Sequence, residues 1–300
     1  MEIAKPFLKW AGGKKQLLNE IQKYYPFADN PNITKYAEPF VGGGAVLFDI
    51  LNRFNLSELY ISDMNQDLID TYLIVRDNCD KLIELLTNIE NEYLSLDPEK
   101  QEIFYYSLRD NFNSIRSEQK AEDITYKSAL MIFLNKACFN GLFRVNQKGI
   151  FNTPFGFAKH PVTDKDNLIK VSEKLKNATI KCADFRDCES FIDENTFVYF
   201  DPPYRPLTKS AFFTAYTQTG FNDIDQFELA ILIHNIHKKG AKFLLSNSDT
   251  GDSFLETLYF LHYINKIEAK RAINKDASKR GKVSELLISN IKRKEHKNDE

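Results

Sequence analysis

Nowhere in the 300 residues does an apolar run approach the roughly 20 residues that a membrane helix needs. The amino terminus, Met-Glu-Ile-Ala-Lys, also lacks the charged-then-hydrophobic order of a secretory leader. The expected location is therefore the cytoplasm. Metal-binding signatures are missing too. The four cysteines (Cys79, Cys138, Cys182, Cys188) show no paired spacing, so buried free thiols are expected rather than zinc ligands or disulfides. Among the five histidines, His234 and His237 lie three apart on a helical stretch, which suits surface or packing roles. No metal site is expected. A cationic excess is absent as well: the net charge of −2 argues against phosphate binding by the chain as a whole. Distribution overrides that total in one window, where Lys266, Lys270, Arg271, Lys275, Lys279, Arg280 and Lys282 face only Glu268 and Asp276. There is no internal repeat.

What is present is an apolar content of 43%, enough for a substantial core. Residues 35 to 40 read as a strand, Val41-Gly42-Gly43-Gly44 as a turn, and Ala45 onward as a helix. A second strand at 58 to 62 leads through Asp63 into a helix from Met64 to Asn78. This is a doubly wound α/β opening. Between about Lys81 and Asn140 the pattern shifts to long amphipathic stretches, Lys81 to Leu94, Glu99 to Phe112 and Glu122 to Asn140. They predict an inserted helical domain over 79–163, between core segments 1–78 and 164–300. The insert closes on a hairpin at 142–153, with Gln147-Lys148-Gly149 as its turn. Strands then resume at 179 to 183, 196 to 200 and 241 to 246, with a helix near 223 to 239. Tyr259 to Ile267 and Glu285 to Ile291 predict an antiparallel ribbon, and the polar tail from Lys292 is expected to fray.

Chemistry concentrates at Asp201-Pro202-Pro203-Tyr204, which follows the apolar run Phe197 to Phe200 and so lies at the carboxyl end of a strand, where open α/β sheets bind ligands. Two prolines remove two backbone donors, which leaves carbonyls beside a carboxylate and an aromatic ring. Such a cluster suits a planar exocyclic amine. Hydrogen bonds from its two hydrogens to Asp201 and the Pro202 carbonyl would draw it toward sp³ geometry and free its lone pair, and Tyr204 could stack on the base. Taken alone, the segment reads equally well as an ordinary Pro-Pro loop. A second signal is the loop Phe40 to Ala45, whose small residues Gly42 and Gly44 allow close backbone approach. Asp63 lies 20 residues past Gly43, the usual spacing for an acid on a ribose hydroxyl. Both features fit NAD as well as any other nucleoside cofactor. Lys9-Trp10-Ala11-Gly12-Gly13-Lys14 is a third signal, suited to an anion-binding loop or to a basic arm capping a helix.

In combination these motifs resemble the Dam-type adenine-N6 DNA methyltransferases over nearly the whole chain. The resemblance includes Phe139-Asn-Gly-Leu-Phe-Arg144-Val-Asn146, Phe151-Asn-Thr-Pro154-Phe-Gly156, Phe213-Thr-Ala-Tyr216 and Glu285-Leu-Leu. It implies a Rossmann-like methyltransferase core with a helical target-recognition insert, and S-adenosyl-L-methionine as cofactor. It places that cofactor at Trp10, Lys14, Asp63 and Asp201, with Asp184 and Phe185 at its adenine, and the glycine loop adds Phe40, Gly42 and Gly44 as expected contacts. Catalysis falls to Asp201, Pro202, Pro203 and Tyr204. The family reads GATC in duplex DNA with residues matching Lys9, Leu142, Arg144 and Pro154, and Asn146, Tyr216, Lys279 and Arg280 join them as expected DNA contacts. Arg144 is physically the strongest reader, since an arginine can grip guanine O6 and N7 together. Two departures are a Gly-Gly-Gly loop where some relatives carry Gly-Ala-Gly, and Val145 where an aromatic is common.

Access to the target nitrogen requires that the adenine be extruded from the duplex, and a monomer suffices for transfer to one strand. A companion restriction endonuclease has no signature in a single chain. Two other reactions share these features, N4-cytosine methylation and nicotinamide-dependent oxidoreduction, but the latter leaves the Pro-Pro loop and the amino-terminal motif without a role.

Overall fold

The computed structural model describes residues 3–118, 124–156, 162–205, 221–270 and 282–294. Its strands are β1 (Lys35–Glu38), β2 (Glu58–Asp63), β3 (Ala178–Cys182), β4 (Thr196–Phe200), β5 (Lys242–Ser248), β6 (Tyr263–Lys270) and β7 (Lys282–Ser289). Its helices are α1 (Leu18–Ile21), α2 (Ala45–Arg53), α3 (Gln66–Asp77), α4 (Cys79–Ser95), α5 (Pro98–Glu118), α6 (Ile124–Ala137), α7 (Lys165–Leu175), α8 (Asp223–Lys238) and α9 (Phe254–Leu258). They fall into two compact units, one of Met1–Gly13, Gly42–Arg53 and Asp63–Cys182, the other of Lys14–Val41, Phe54–Ser62 and Ala183–Glu300.

The second unit is an α/β sheet in the order β2-β1-β4-β5-β7-β6. β2, β1, β4 and β5 run parallel, whereas β7 is antiparallel to both β5 and β6. Every residue of β4 is buried, which is why Thr-Phe-Val-Tyr-Phe reads as an unbroken apolar run rather than an alternating one. Chain connections leave β1 toward β2 on one side and β4 toward β5 on the other, so β1 and β4 flank the switch point of the sheet. Val198, Phe200, Leu229, Ile233, Phe243 and Leu245 pack α8 onto this sheet. The start of α8 is set by a capping box: Asn222 accepts from the amides of Ile224 and Asp225, and Asp225 accepts from the amide of Asn222. The expected ribbon forms, but its first strand begins at Tyr263 rather than Tyr259. Residues 254–258 close a helical turn instead, with Tyr259 N bonded to Leu255 O and His262 N to Tyr259 O.

The first unit is mainly helical, with β3 at its end. At its centre lies α6, in which the whole run from Ser128 to Asn135 is buried. That helix is packed by α3, α4 and α5, so its central run is buried on every side and shows no amphipathic stripe. Four asparagines organise extended segments here by pairing with the N–H and C=O of one residue: Asn52 with Ala4, Asn167 with Lys5, Asn135 with Lys9, and Asn113 with Phe151. Each side-chain amide substitutes for a neighbouring strand, so the backbone groups stay satisfied without a sheet. The expected hairpin is present as a short ladder, with Val145 bridged to Phe151 and Gly149 in the left-handed region at φ 74°.

The cysteines are free, but the expectation of burial holds only in part. Cys138 and Cys188 are buried, whereas Cys182, the last residue of β3, is exposed. Among the described residues no helix is long and apolar enough to cross a membrane, and no group of His, Cys, Asp or Glu could hold a metal ion.

Candidate active site

In the second unit the carboxyl ends of β1 and β4 carry a buried charged cluster. Asp201, the first residue past β4, receives the ammonium of Lys14 on Oδ1 at 2.7 Å. Lys14 is itself only 4% exposed and lies 4.7 Å from the centre of the Tyr204 ring. The Tyr204 hydroxyl donates to Glu285 Oε2 at 2.8 Å, and Glu285 enters from β7, whose register sets it opposite Ser248. Below this layer Tyr36 donates to the buried Glu38 at 2.7 Å, and Tyr199 bonds Ser246 at 2.8 Å. Burial pushes the carboxyls of Asp201 and Glu285 above their ordinary range, and the ammonium of Lys14 pulls both back down. Burial likewise raises the Tyr204 phenol, and the two carboxylates add to the effect, so it stays protonated as a donor. The arrangement is an anionic oxygen held by a cation beside an aromatic face, with Pro202 buried next to it. It can accept hydrogens from a neutral amine.

Beside it, the Phe40 ring stacks on Phe185 at 5.5 Å and meets Phe221 edge-on at 5.7 Å. Asp184 caps the helical turn that starts at Phe185, accepting from the amide of Arg186 at 3.0 Å and pairing with its guanidinium at 2.6 Å. Phe185 is thus a core residue, and Asp184 keeps a partly exposed carboxylate.

The first unit contains the glycine loop. Gly42 and Gly44 have φ of 47° and 73°, and a Cβ would lie 2.9 Å from the Trp10 ring at Gly42 and 2.6 Å from the Tyr72 hydroxyl at Gly44. Larger residues would close this loop from behind and strain its backbone. Gly42 N donates to Asp63 Oδ2 at 3.1 Å and Asn65 N to Oδ1 at 2.9 Å. These bonds orient Asp63, and burial raises its carboxyl above the usual carboxylate range. A glycine loop tied to a half-buried acid in this way fits a nucleoside with ribose hydroxyls.

Trp10 stacks on Phe143 at 5.4 Å, a partner that spacing in the sequence could not reveal. Lys9 is exposed, and its backbone is held by Asn135, whose amide also donates to Gly141 O at 3.2 Å. This brings Lys9 next to the segment that starts at Gly141. Leu142 is half-buried, and Arg144 and Pro154 are exposed. Asn146 is exposed too, but its side-chain oxygen accepts from Lys148 N and Ile150 N, so that atom shapes the turn. Tyr216, Lys279 and Arg280 lie outside the described residues. Glu285, Asn135 and Asn113 were not picked out as site residues beforehand. Asn135 leaves a local trace, a lone amide in the apolar run of α6, and Glu285 belongs to a motif of the resemblance without a role being read for it.

Parallel strands flanked by helices, with an antiparallel ribbon at one edge and an acid at the switch point, define the class as an α/β methyltransferase fold. Residues 10–273 match the model of the D12 class N6 adenine-specific DNA methyltransferases. The chain is 48% identical to the Type II methyltransferase M.MjaIII of Methanocaldococcus jannaschii, over 97% of this chain and 100% of that one. It is 37% identical to the Type II methyltransferase M1.LlaDCHI of Lactococcus lactis subsp. cremoris, over 95% of each chain. To the DNA adenine methylase of Haemophilus influenzae it is 37% identical, over 94% of this chain and 92% of that one. The chain belongs to the D12 class of N6 adenine-specific DNA methyltransferases. Its substrate is DNA, and the family draws its methyl group from S-adenosylmethionine.

Proposed function

We propose that the protein methylates N6 of an adenine flipped out of duplex DNA, within GATC, and that Asp201 and the Pro202 carbonyl accept the two amino hydrogens. The observation that carries this reading is the ion pair between Lys14 and Asp201 at 2.7 Å, since a half-buried carboxylate beside a buried cation remains ionised and oriented. Oδ1 is taken by Lys14, so Oδ2 serves the amine. Polarised in this way, the nitrogen recovers its lone pair for attack. Tyr204, fixed by Glu285, stacks on the base, and aromatic stacking contributes roughly 1 to 3 kcal/mol per base toward the cost of extrusion. When bound, S-adenosylmethionine supplies a methyl already activated by its sulfonium.

In the first unit we assign Trp10, Gly42, Gly44 and Asp63 to that cofactor, with Asp63 on the ribose hydroxyls. In the second unit we assign Phe40, Asp184 and Phe185 to its adenine and Lys14 to holding Asp201. Residues 79–163 serve target recognition, where Lys9 joins Leu142, Arg144, Asn146 and Pro154 as DNA contacts, and Tyr216, Lys279 and Arg280 take strand and phosphate contacts. The rest of the chain carries the catalytic machinery. The protein acts as a cytoplasmic monomer, and a restriction-modification setting is supported by the type II naming of two relatives.

Incubation with tritiated cofactor and duplexes containing or lacking GATC tests the substrate. Label should enter N6-methyladenine in the GATC duplex alone. Label on cytosine, or equal labelling of both duplexes, would overturn the assignment. A pH profile tests Lys14: because its cation lowers the raised pKa of Asp201, Lys14→Gln should move the acid limb of kcat/KM to higher pH. An unmoved limb would detach Asp201 ionisation from the rate.

A further inference from the structure

Phe151 lies in the second arm of the hairpin, opposite Val145. The ladder bonds flanking this pair run from Asn146 N to Ile150 O at 2.9 Å and from Asn152 N to Arg144 O at 3.1 Å. In an antiparallel ladder this leaves the N–H and C=O of Phe151 pointing away from the first arm. Asn113, on α5, meets both. Its Nδ2 donates to Phe151 O at 3.0 Å, and its Oδ1 accepts from Phe151 N at 2.8 Å. The next residue, Asn152, accepts from Arg144 Nε on its side-chain oxygen at 3.0 Å. That bond uses Nε, so the two terminal nitrogens remain for the edge of a base. A second tie comes from the same helix: Arg116 donates to the carbonyl of Gly149 in the hairpin turn, and its Nε is fixed on Asp67 at 2.6 Å.

A two-armed ribbon with so short a ladder is marginal without outside support. A bidentate arginine contact, by contrast, needs its guanidinium held to a fraction of an ångström. We propose that Asn113 is a positioning residue for sequence readout: it pins the backbone of Phe151, and through Asn152 it sets the direction in which Arg144 presents its guanidinium. The inference rests on the reading of Arg144 as a guanine contact, and it adds a helix of the insert as the seat of specificity.

The test compares kcat/KM on a duplex with one GATC against a duplex carrying CATC there, for Asn113→Ala, Asn113→Asp, Arg144→Ala and Asn113→Ala combined with Arg144→Ala. Asn113→Ala should lower the GATC/CATC ratio by about fivefold or more, within the coupling usual for contacting residues, and should lower it no further in the Arg144→Ala background. Asn113→Asp still accepts from Phe151 N but cannot donate to its carbonyl, so its ratio should fall between the two. That variant also serves if the alanine form does not fold. Calorimetric binding of S-adenosylmethionine should stay within about twofold of the native value, which a general structural lesion would not permit. An unchanged ratio in the Asn113 variants while Arg144→Ala lowers it would overturn the clamp alone. A ratio untouched by Arg144→Ala would overturn the guanine reading, and the inference with it.

Discussion

Asp201→Ala is expected to methylate duplex DNA about 10³-fold more slowly than the native chain, on the scale seen when one preorganised electrostatic partner of a transition state is removed. In the proposed reaction this carboxylate holds the amine as its nitrogen rehybridises, and its Oδ1 takes the ammonium of Lys14 at 2.7 Å. Asp201→Asn should lose nearly as much. An amide oxygen can still accept one hydrogen bond, but it removes the anion 2.7 Å from the buried Lys14 ammonium, and breaking a buried ion pair is strongly unfavourable. Duplex binding should change little in either variant, because most of the residues assigned to DNA lie outside the catalytic loop and Tyr204 still stacks on the base. Single-turnover incorporation of tritiated methyl measures the rate, and a gel shift measures binding. Near-native turnover in Asp201→Ala would remove this residue from the chemistry, whatever happened to affinity.

Arg144→Ala should cut discrimination for the first guanine of GATC by roughly 10- to 100-fold, the equivalent of about 1 to 3 kcal/mol for a bidentate arginine–guanine pair. Arg144 is exposed on the hairpin, and Asn152 aligns it through Nε. Arg144→Lys should recover only part of the loss, since an ammonium carries charge without the planar fork. Competition between GATC and CATC duplexes reads the effect directly. Equal falls in activity on both duplexes would instead mark Arg144 as a phosphate contact, which positions the protein without informing it.

These residues differ in how visible they were before folding. Asp201 follows an apolar run, Gly42 and Gly44 interrupt one, and Asp63 ends one. A strand end, a glycine turn and a strand-end acid are local features, so they can be read from neighbouring residues. The hairpin was legible for the same reason, through its alternation and Gly149. Asn146 has a second role that the motif did not show: its side-chain oxygen shapes the turn in which it sits. The exposure of Cys182 and the delayed start of β6 at Tyr263 depended likewise on where neighbouring segments ended up.

Local chemistry thus sufficed to mark a candidate reaction centre, a candidate nucleoside loop and the order of strands and helices, because each depends on residues only a few positions apart. The supports of that centre were chosen by folding. Glu285 reaches Tyr204 across 81 residues, Asn135 reaches Lys9 across 126, and Asn113 reaches Phe151 across 38. A glutamate on a strand or an asparagine in a helix carries no mark of its partner. The partner is selected when strand register and helix packing bring a buried donor and acceptor together and leave neither unpaired.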